Sequence, residues 1–333
     1  MITIKKEKYM KILVIGLGSM GKRRIRLIRD MYAEAVIYGV DGREDRRDEA
    51  KELFQIICFA SIEEAVGRGI EAAFVCTSPL SHNKIIKECL NNGWNVFTEL
   101  NLVSDGYEEN IALAEKKHCT LFLSSTFLYR EEIQYIRQKI KHESWNYIYH
   151  IGQYLPDWHP WENYKDFFIG DKRTNGCREI MAIELPWLTS VFGKVINYHS
   201  IANKMTALNI DYNDNYMIQF THESGSKGVL VVDVVSPVAV RKLELYRENS
   251  YLSWNGTPES LMEYSVEKDT LEYVHLHETQ EHMEGYRAFV VENAYRNEIK
   301  EFMQTIKGES TPEYGFAQDL EVLKLIDTLE AQK

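Results

Sequence analysis

Over the first 125 residues, short apolar runs alternate with amphipathic stretches. Residues 12–15 form an apolar run, followed by glycines and a helical stretch over 23–31. The run 35–40 precedes a charged helix over 44–54. Residues 72–76 precede a helix that carries 85–90, residues 96–98 precede a helix over 107–117, and 121–123 form a fifth run. Apolar strands separated by amphipathic helices predict a parallel sheet covered on both faces. From about residue 131 the pattern changes. A helix to about 142 leads into a strand over 147–154, a long aromatic loop and a helix over 178–192. Strand-like runs follow at 195–204, 216–221, 228–235, 241–246 and 271–276, and two helices, 290–306 and 317–331, come last. Strands in succession without intervening helices predict an antiparallel sheet. The fold class expected is therefore α/β: an N-terminal Rossmann domain over 1–125 with a parallel sheet, then an α+β domain over 126–333 with a mostly antiparallel sheet.

Composition narrows the function. The chain has 333 residues, 44% of them hydrophobic, and a net charge of −11. That balance does not favour nucleic acid or an anionic membrane. No apolar stretch approaches the roughly 18 residues of a membrane span, and the lysine-rich first residues do not read as a signal peptide. The five cysteines are odd in number and contain no C-x-x-C pair, which predicts free thiols in a cytoplasmic protein and no metal cluster.

The chemistry begins at Gly16-Leu17-Gly18-Ser19-Met20-Gly21, which follows a strand and opens a helix. In that context Gly16 allows a tight turn, Gly18 lets backbone approach a pyrophosphate, and Gly21 lets helix and strand pack closely. The helix start at Ser19 and Met20 offers N–H groups and a positive dipole end to phosphates. Asp41 ends the second strand, the expected place for a carboxylate that accepts hydrogen bonds from the adenosine ribose. A carboxylate there favours NAD; Arg43, two residues on, would admit NADP by pairing with its 2′-phosphate. Lys22, Arg23, Arg24 and Arg26 read as a solvated helix face.

Further along, Thr77-Ser78-Pro79 ends a strand with His82 after it, 96–102 reads Val-Phe-Thr-Glu-Leu-Asn-Leu, and 295–302 reads Tyr-Arg-Asn-Glu-Ile-Lys-Glu-Phe. With the glycine loop, these segments resemble the Gfo/Idh/MocA (glucose–fructose oxidoreductase and inositol dehydrogenase) family over nearly the whole chain. Residues 152–162 and 177–180 resemble a subgroup associated with bacterial surface-polysaccharide and nucleotide-sugar pathways. The resemblance implies cofactor contacts at Thr77, Ser78, Pro79, His82 and Glu99. It also exposes departures. The family's lysine falls on Leu100, its proline on Asn101, and its Asp-x-x-x-His on Ile180 and Glu184, so the usual proton-transferring groups are missing.

Three groups are candidates to replace them. Glu184 lies among apolar helix residues, where partial burial would suit a general base; the alternative is a structural salt bridge. Arg178, in a helix first turn, calls for an anion such as a substrate carboxylate or phosphate; the alternative is a pair with Glu179 or Asp171. His159 lies in a loop with Trp158, Trp161 and Tyr164 and suits proton transfer; the alternative is a hydrogen-bonded place in a small loop core. The expected function is an NAD(P)-dependent oxidoreductase moving hydride between nicotinamide and a sugar-like substrate, with His159, Glu184, Arg178 and Glu99 at the site. The alternative is a non-catalytic NAD(P)-binding sensor or regulatory protein. The apolar run 229–235 predicts a sheet buried on both faces, hence a homo-dimer or homo-tetramer.

Overall fold

In the first part of the chain, β1 (Lys11–Ile15) is the central strand, and residues 12–15 are buried. The computed structural model describes residues 9–141, 143–160, 162–276 and 291–331. His142, Trp161 and Val290, each part of an element read from the sequence, lie outside them. After β1 come α1 (Ser19–Met31), β2 (Val36–Val40), α2 (Glu44–Phe54), β3 (Ile57–Phe59), β4 (Ala72–Val75), α3 (His82–Asn91), β5 (Asn95–Thr98), α4 (Tyr107–Lys117) and β6 (Leu121–Leu123). The sheet order is β3-β2-β1-β4-β5-β6, all parallel. Ile12 pairs with Ile37 on one side and Ala72 on the other, so the strand order reverses at β1. That reversal opens a crevice at the carboxyl ends of β1 and β4, where ligands of such sheets bind. Strand β3, three residues long, was not foreseen.

The second part holds α5 (Glu131–Lys139), β7 (Asn146–Gly152), α6 (Gly176–Phe192), β8 (Val195–Asn203), β9 (Asn215–His222), β10 (Lys227–Asp233), β11 (Val240–Arg247), β12 (Ser250–Trp254), β13 (Met262–Ser265) and β14 (Thr270–Tyr273). Helices α7 (Glu292–Ile306) and α8 (Phe316–Ala331) come last. The eight strands run β14-β13-β12-β11-β7-β10-β9-β8, antiparallel except for the β7–β10 pair. The expected parallel and mostly antiparallel sheets are both present; β12 and β13 were missed.

By contacts, one unit runs to Ser124 and also takes Glu298–Ala317; the other is Ser125–Asn297 with Gln318–Lys333. The chain passes from one unit to the other at Ser124–Ser125, and neither unit is contiguous. The return of Glu298–Ala317 has an apolar cause. Phe74, Phe97 and Phe122 stack across β4, β5 and β6 at 4.7 and 5.2 Å, and Phe302 of α7 packs edge-on against Phe74 at 5.3 Å. Burying one such ring is worth roughly 2–3 kcal/mol.

In the second unit, Tyr147, Tyr149 and Ile151 of β7 turn towards α6, where Tyr147 stacks on Phe192 and Tyr149 meets Trp187 edge-on. The opposite face is more open. Residues along β10 alternate, with Val229 and Val231 only half-buried, and Ile148, Ile201 and Met217 are exposed. The described residues therefore cover one face of this sheet. Among the described residues, no helix is long and apolar enough to cross a membrane.

Candidate active site

The glycine loop between β1 and α1 takes the form its sequence demands. Gly16 has φ +89°, and a Cβ there would stand 2.7 Å from the Cys76 carbonyl oxygen. Only glycine tolerates both conditions. A Cβ on Gly21 would stand 1.9 Å from the Gly16 carbonyl oxygen, so the third glycine is what lets α1 start against the loop. At Gly18, a Cβ would meet only the Arg46 guanidinium, 3.6 Å away. Gly18 is the N-cap of α1, with no side-chain cap and no acid in the first turn. Its amides are thus available to an anion, with the helix dipole behind them.

Asp41 fixes the loop from the end of β2. It accepts from the Leu17 amide at 2.8 Å through one oxygen and from the Arg43 amide at 2.9 Å through the other. A carboxylate has about four lone-pair sites, so capacity for a ribose hydroxyl remains. The Arg43 side chain is bidentate to Asp45 and exposed, a pair weak enough to be exchanged for another anion. Arg46, which the sequence reading passed over, is the guanidinium beside Gly18, 3.7 Å from Asp41.

The turn after β4 abuts this loop. Thr77 Cγ2 lies 3.0 Å from where a Gly16 Cβ would be, and the Ser81 hydroxyl donates to Thr77 Oγ1. Ser78 is exposed and Pro79 buried. His82 does not face outward. Its ring lies 2.5 Å from Asn101 Oδ1 through Nδ1 and 2.9 Å from the Thr77 carbonyl through Nε2, and burial holds its pKa below the usual value. A neutral ring has one N–H, which donates to one of these two oxygens. His82 and Asn101 therefore brace the turn.

Glu99, at the end of β5, is bound to a buried arginine. Arg24 Nε donates to Glu99 at 2.6 Å, Arg24 also donates to Glu298 at 2.8 Å, and the Ser124 hydroxyl donates to Glu298. Burial would lower the Arg24 pKa, but Glu99 and Glu298 raise it above its ordinary value. Arg24 is fully buried and Arg23 nearly so. Their reading as a solvated face is corrected, because two acids from β5 and α7 neutralise Arg24 inside the unit. The Glu99 side chain is 13% exposed. The Leu100 side chain beside it is half-buried and carries no proton.

In the second unit, the three candidates have different fates. Glu184 is fully buried; it accepts from Tyr149 and Trp187 at 2.7 Å each and pairs with Arg241 at 2.8 Å. A carboxylate so enclosed is a structural ion pair, and its role as a general base is corrected. Arg178 pairs with Asp327 at 2.6 Å and Glu330 at 2.5 Å, both on α8. The anion its position called for belongs to the chain, so its role as a substrate clamp is corrected too. His159 stays partly exposed. Its Nδ1 lies 2.5 Å from Glu162, and its ring packs on Phe167.

The group the sequence reading undervalued is Glu179, next to Arg178 in α6. It does not pair with Arg178. Burial pushes its carboxyl up to about 7, and its Oε2 has no hydrogen-bond partner among the described residues. No local signal marks this, since a Glu in a helix first turn is ordinarily a solvated capping residue.

Comparisons place this geometry among known proteins. Human biliverdin reductase A is 27% identical over 139 residues, a match that spans 40% of this chain and 46% of that protein. An oxidoreductase from Agrobacterium radiobacter, solved with NAD+, L-tartaric acid and magnesium, superposes with a TM-score of 0.78 over 96% of this chain and 95% of its own, at 12% identity. The WlbA dehydrogenase from Chromobacterium violaceum, solved with NADH and UDP-GlcNAcA, superposes at 0.76 over 99% and 95%, at 15% identity. At such identities these two structures show a shared fold. Residues 10–125 match the Gfo/Idh/MocA family model, described as an oxidoreductase family with an NAD-binding Rossmann fold. The likeness to the Gfo/Idh/MocA family model is thus confined to the Rossmann domain, residues 10–125.

Proposed function

We propose that the chain is an NAD(P)-dependent oxidoreductase acting on a CH–OH group of a sugar or nucleotide-sugar-like substrate. The observation that carries this reading is the glycine cradle, where Gly16 and Gly21 hold places no side chain fits and Gly18 opens uncapped amides. A nicotinamide cofactor, when bound, supplies the hydride chemistry. The chain's residues hold it: the amides at Gly18, Ser19 and Met20 take the pyrophosphate, Asp41 the ribose, and the Thr77–Pro79 turn and Glu99 border the same crevice. The substrate class is supported by the sugar nucleotide in the Chromobacterium structure.

Leu100 leaves proton transfer to other groups. Glu179, with its carboxyl near 7, can give or take a proton at neutral pH. His159, oriented by Glu162, is the second carrier. The test is turnover with NAD(H) over a panel of sugars, nucleotide sugars and biliverdin. Glu179→Gln and His159→Asn separate the carriers: loss of the working one lowers kcat by about 100-fold or more with NAD affinity unchanged. A second reading, a non-catalytic NAD(P)-binding sensor or regulatory protein, draws on Leu100 and on the engagement of Glu184 and Arg178 in ion pairs. Cofactor binding without turnover on any member of the panel would select it.

We also assign a second copy of this chain to the exposed sheet face, where Ile201, Met217, Val231 and His150 lie in one row across β8, β9, β10 and β7. The five free cysteines fit a cytoplasmic location.

A further inference from the structure

We infer that a single buried water sits between α3 and α4, and that Asn101 and Asn110, which hold it, set the turn beside the glycine cradle. A cavity of about 10 Å³ lies within the unit that runs to Ser124, lined by Asn83, Ile86, Asn101, Val103, Tyr107 and Asn110 among others. One water molecule needs roughly 10–15 Å³. The space therefore takes one water and nothing larger.

The polar groups decide that it is filled. Asn101 and Asn110 are 2% and 1% exposed, so neither amide reaches bulk solvent. Asn101 meets the His82 ring with one end of its amide, and its Nδ2 end has no partner among the described residues. Asn110 Nδ2 donates to Asn83 Oδ1 at 3.0 Å, and Asn110 Oδ1 is likewise unmet. A buried donor or acceptor left unpaired costs the desolvation of a polar group. Cavities that stay empty are apolar ones. Here Asn101 donates to the water, and the water donates to Asn110. Turned end for end, the Asn101 amide would offer its oxygen, and the water would donate to both side chains. A small cation suits only the second arrangement and an anion neither; water suits both.

The water reaches the cradle through a chain of contacts. Asn101 lies 2.5 Å from His82 Nδ1, His82 Nε2 lies 2.9 Å from the Thr77 carbonyl, and Thr77 Cγ2 lies 3.0 Å from where a Gly16 Cβ would stand. Asn101 and Asn110 are thus positioning residues, which act through His82 on the Thr77–Pro79 turn. Their effect on the cofactor rests on the NAD(P) reading above; the water and the turn do not.

The test compares Asn110→Leu, which keeps the volume but removes the polar ends, with Asn110→Ser, which keeps a hydroxyl and leaves room for water. In the full chain labelled at asparagine, NMR should show magnetisation passing between a long-lived water and the Asn101 side chain, and Asn110→Leu should abolish it. Hydrogen exchange across residues 77–82, read by mass spectrometry, should rise about fivefold in Asn110→Leu, the worth of one net hydrogen bond. It should stay near wild type in Asn110→Ser, and NADH affinity should follow the same order. If the amide only packs α3 against α4, the order reverses, because serine leaves a void and leucine does not. That reversed order, or a wild type without the long-lived water, would overturn the inference. Should Asn110→Leu fail to fold, Asn110→Ser still decides: unchanged exchange in the turn supports the water, and exchange raised about fivefold leaves packing alone. A chain that binds no NADH would remove the cofactor reading and leave the water and turn measurements standing.

Discussion

Glu179→Gln offers a test that reads the site through stability. The carboxyl has an ordinary value of 4.5 and is pushed up to about 7 by burial, against the helix N-terminus, which favours the charged form. The folded state thus prefers the neutral acid. Below pH 4.5 both states are protonated and the burial costs nothing. As pH rises from 4.5 towards 7, the unfolded chain releases its proton first, so stability falls across that window and levels off above it. At about 1.4 kcal/mol per unit, the loss amounts to about 3 kcal/mol, an upper bound because the side chain is only half-buried. Glutamine cannot ionise, so the variant lacks this loss. Urea unfolding of both proteins, followed by circular dichroism at steps from acid to mildly alkaline pH, gives the difference in which other titrating groups cancel. The variant should gain on the wild type by up to about 3 kcal/mol between pH 4.5 and 7. A difference that does not change with pH would refute the burial argument and remove Glu179 from the proton carriers.

Other outcomes follow from the same geometry. NADH should bind more tightly than NADPH, because Asp41 repels a 2′-phosphate; Asp41→Ala should narrow the gap, and Arg46→Ala or Arg43→Ala should weaken whatever NADPH binding exists, all by fluorescence titration. Arg24→Met should cost about 3–5 kcal/mol in denaturant unfolding, because Glu99 and Glu298 are left without their buried partner. Light scattering at micromolar concentration should give the mass of a dimer or tetramer, and Met217→Glu should shift it towards the monomer.

The parts legible in the sequence are those fixed by local chemistry. Gly16 and Gly21 can be read because the turn itself demands them, a positive φ at Gly16 and the Gly16 carbonyl against Gly21, and Asp41 because strand length sets its place. The arginines of α1 were misread because the acids that bury Arg24 lie 75 and 274 residues away. Periodicity alone cannot distinguish a solvated guanidinium from one with distant partners. The same limit applies to Glu184 and Arg178. Each was rightly seen to need a partner, but Arg241, Asp327 and Glu330 come from later elements that no spacing rule connects to α6. Strands β12 and β13 are short and polar-rich, and they form because β11 offers an edge.

The account rests on hydride transfer by a chain whose cradle fits the cofactor. Its most direct test uses NADH deuterated at the transferable position, mixed with the protein and a panel of oxidised sugars and nucleotide sugars, with products read by mass spectrometry. The account predicts deuterium in the product of at least one sugar. Cofactor that binds tightly while no product in the panel carries deuterium would contradict it.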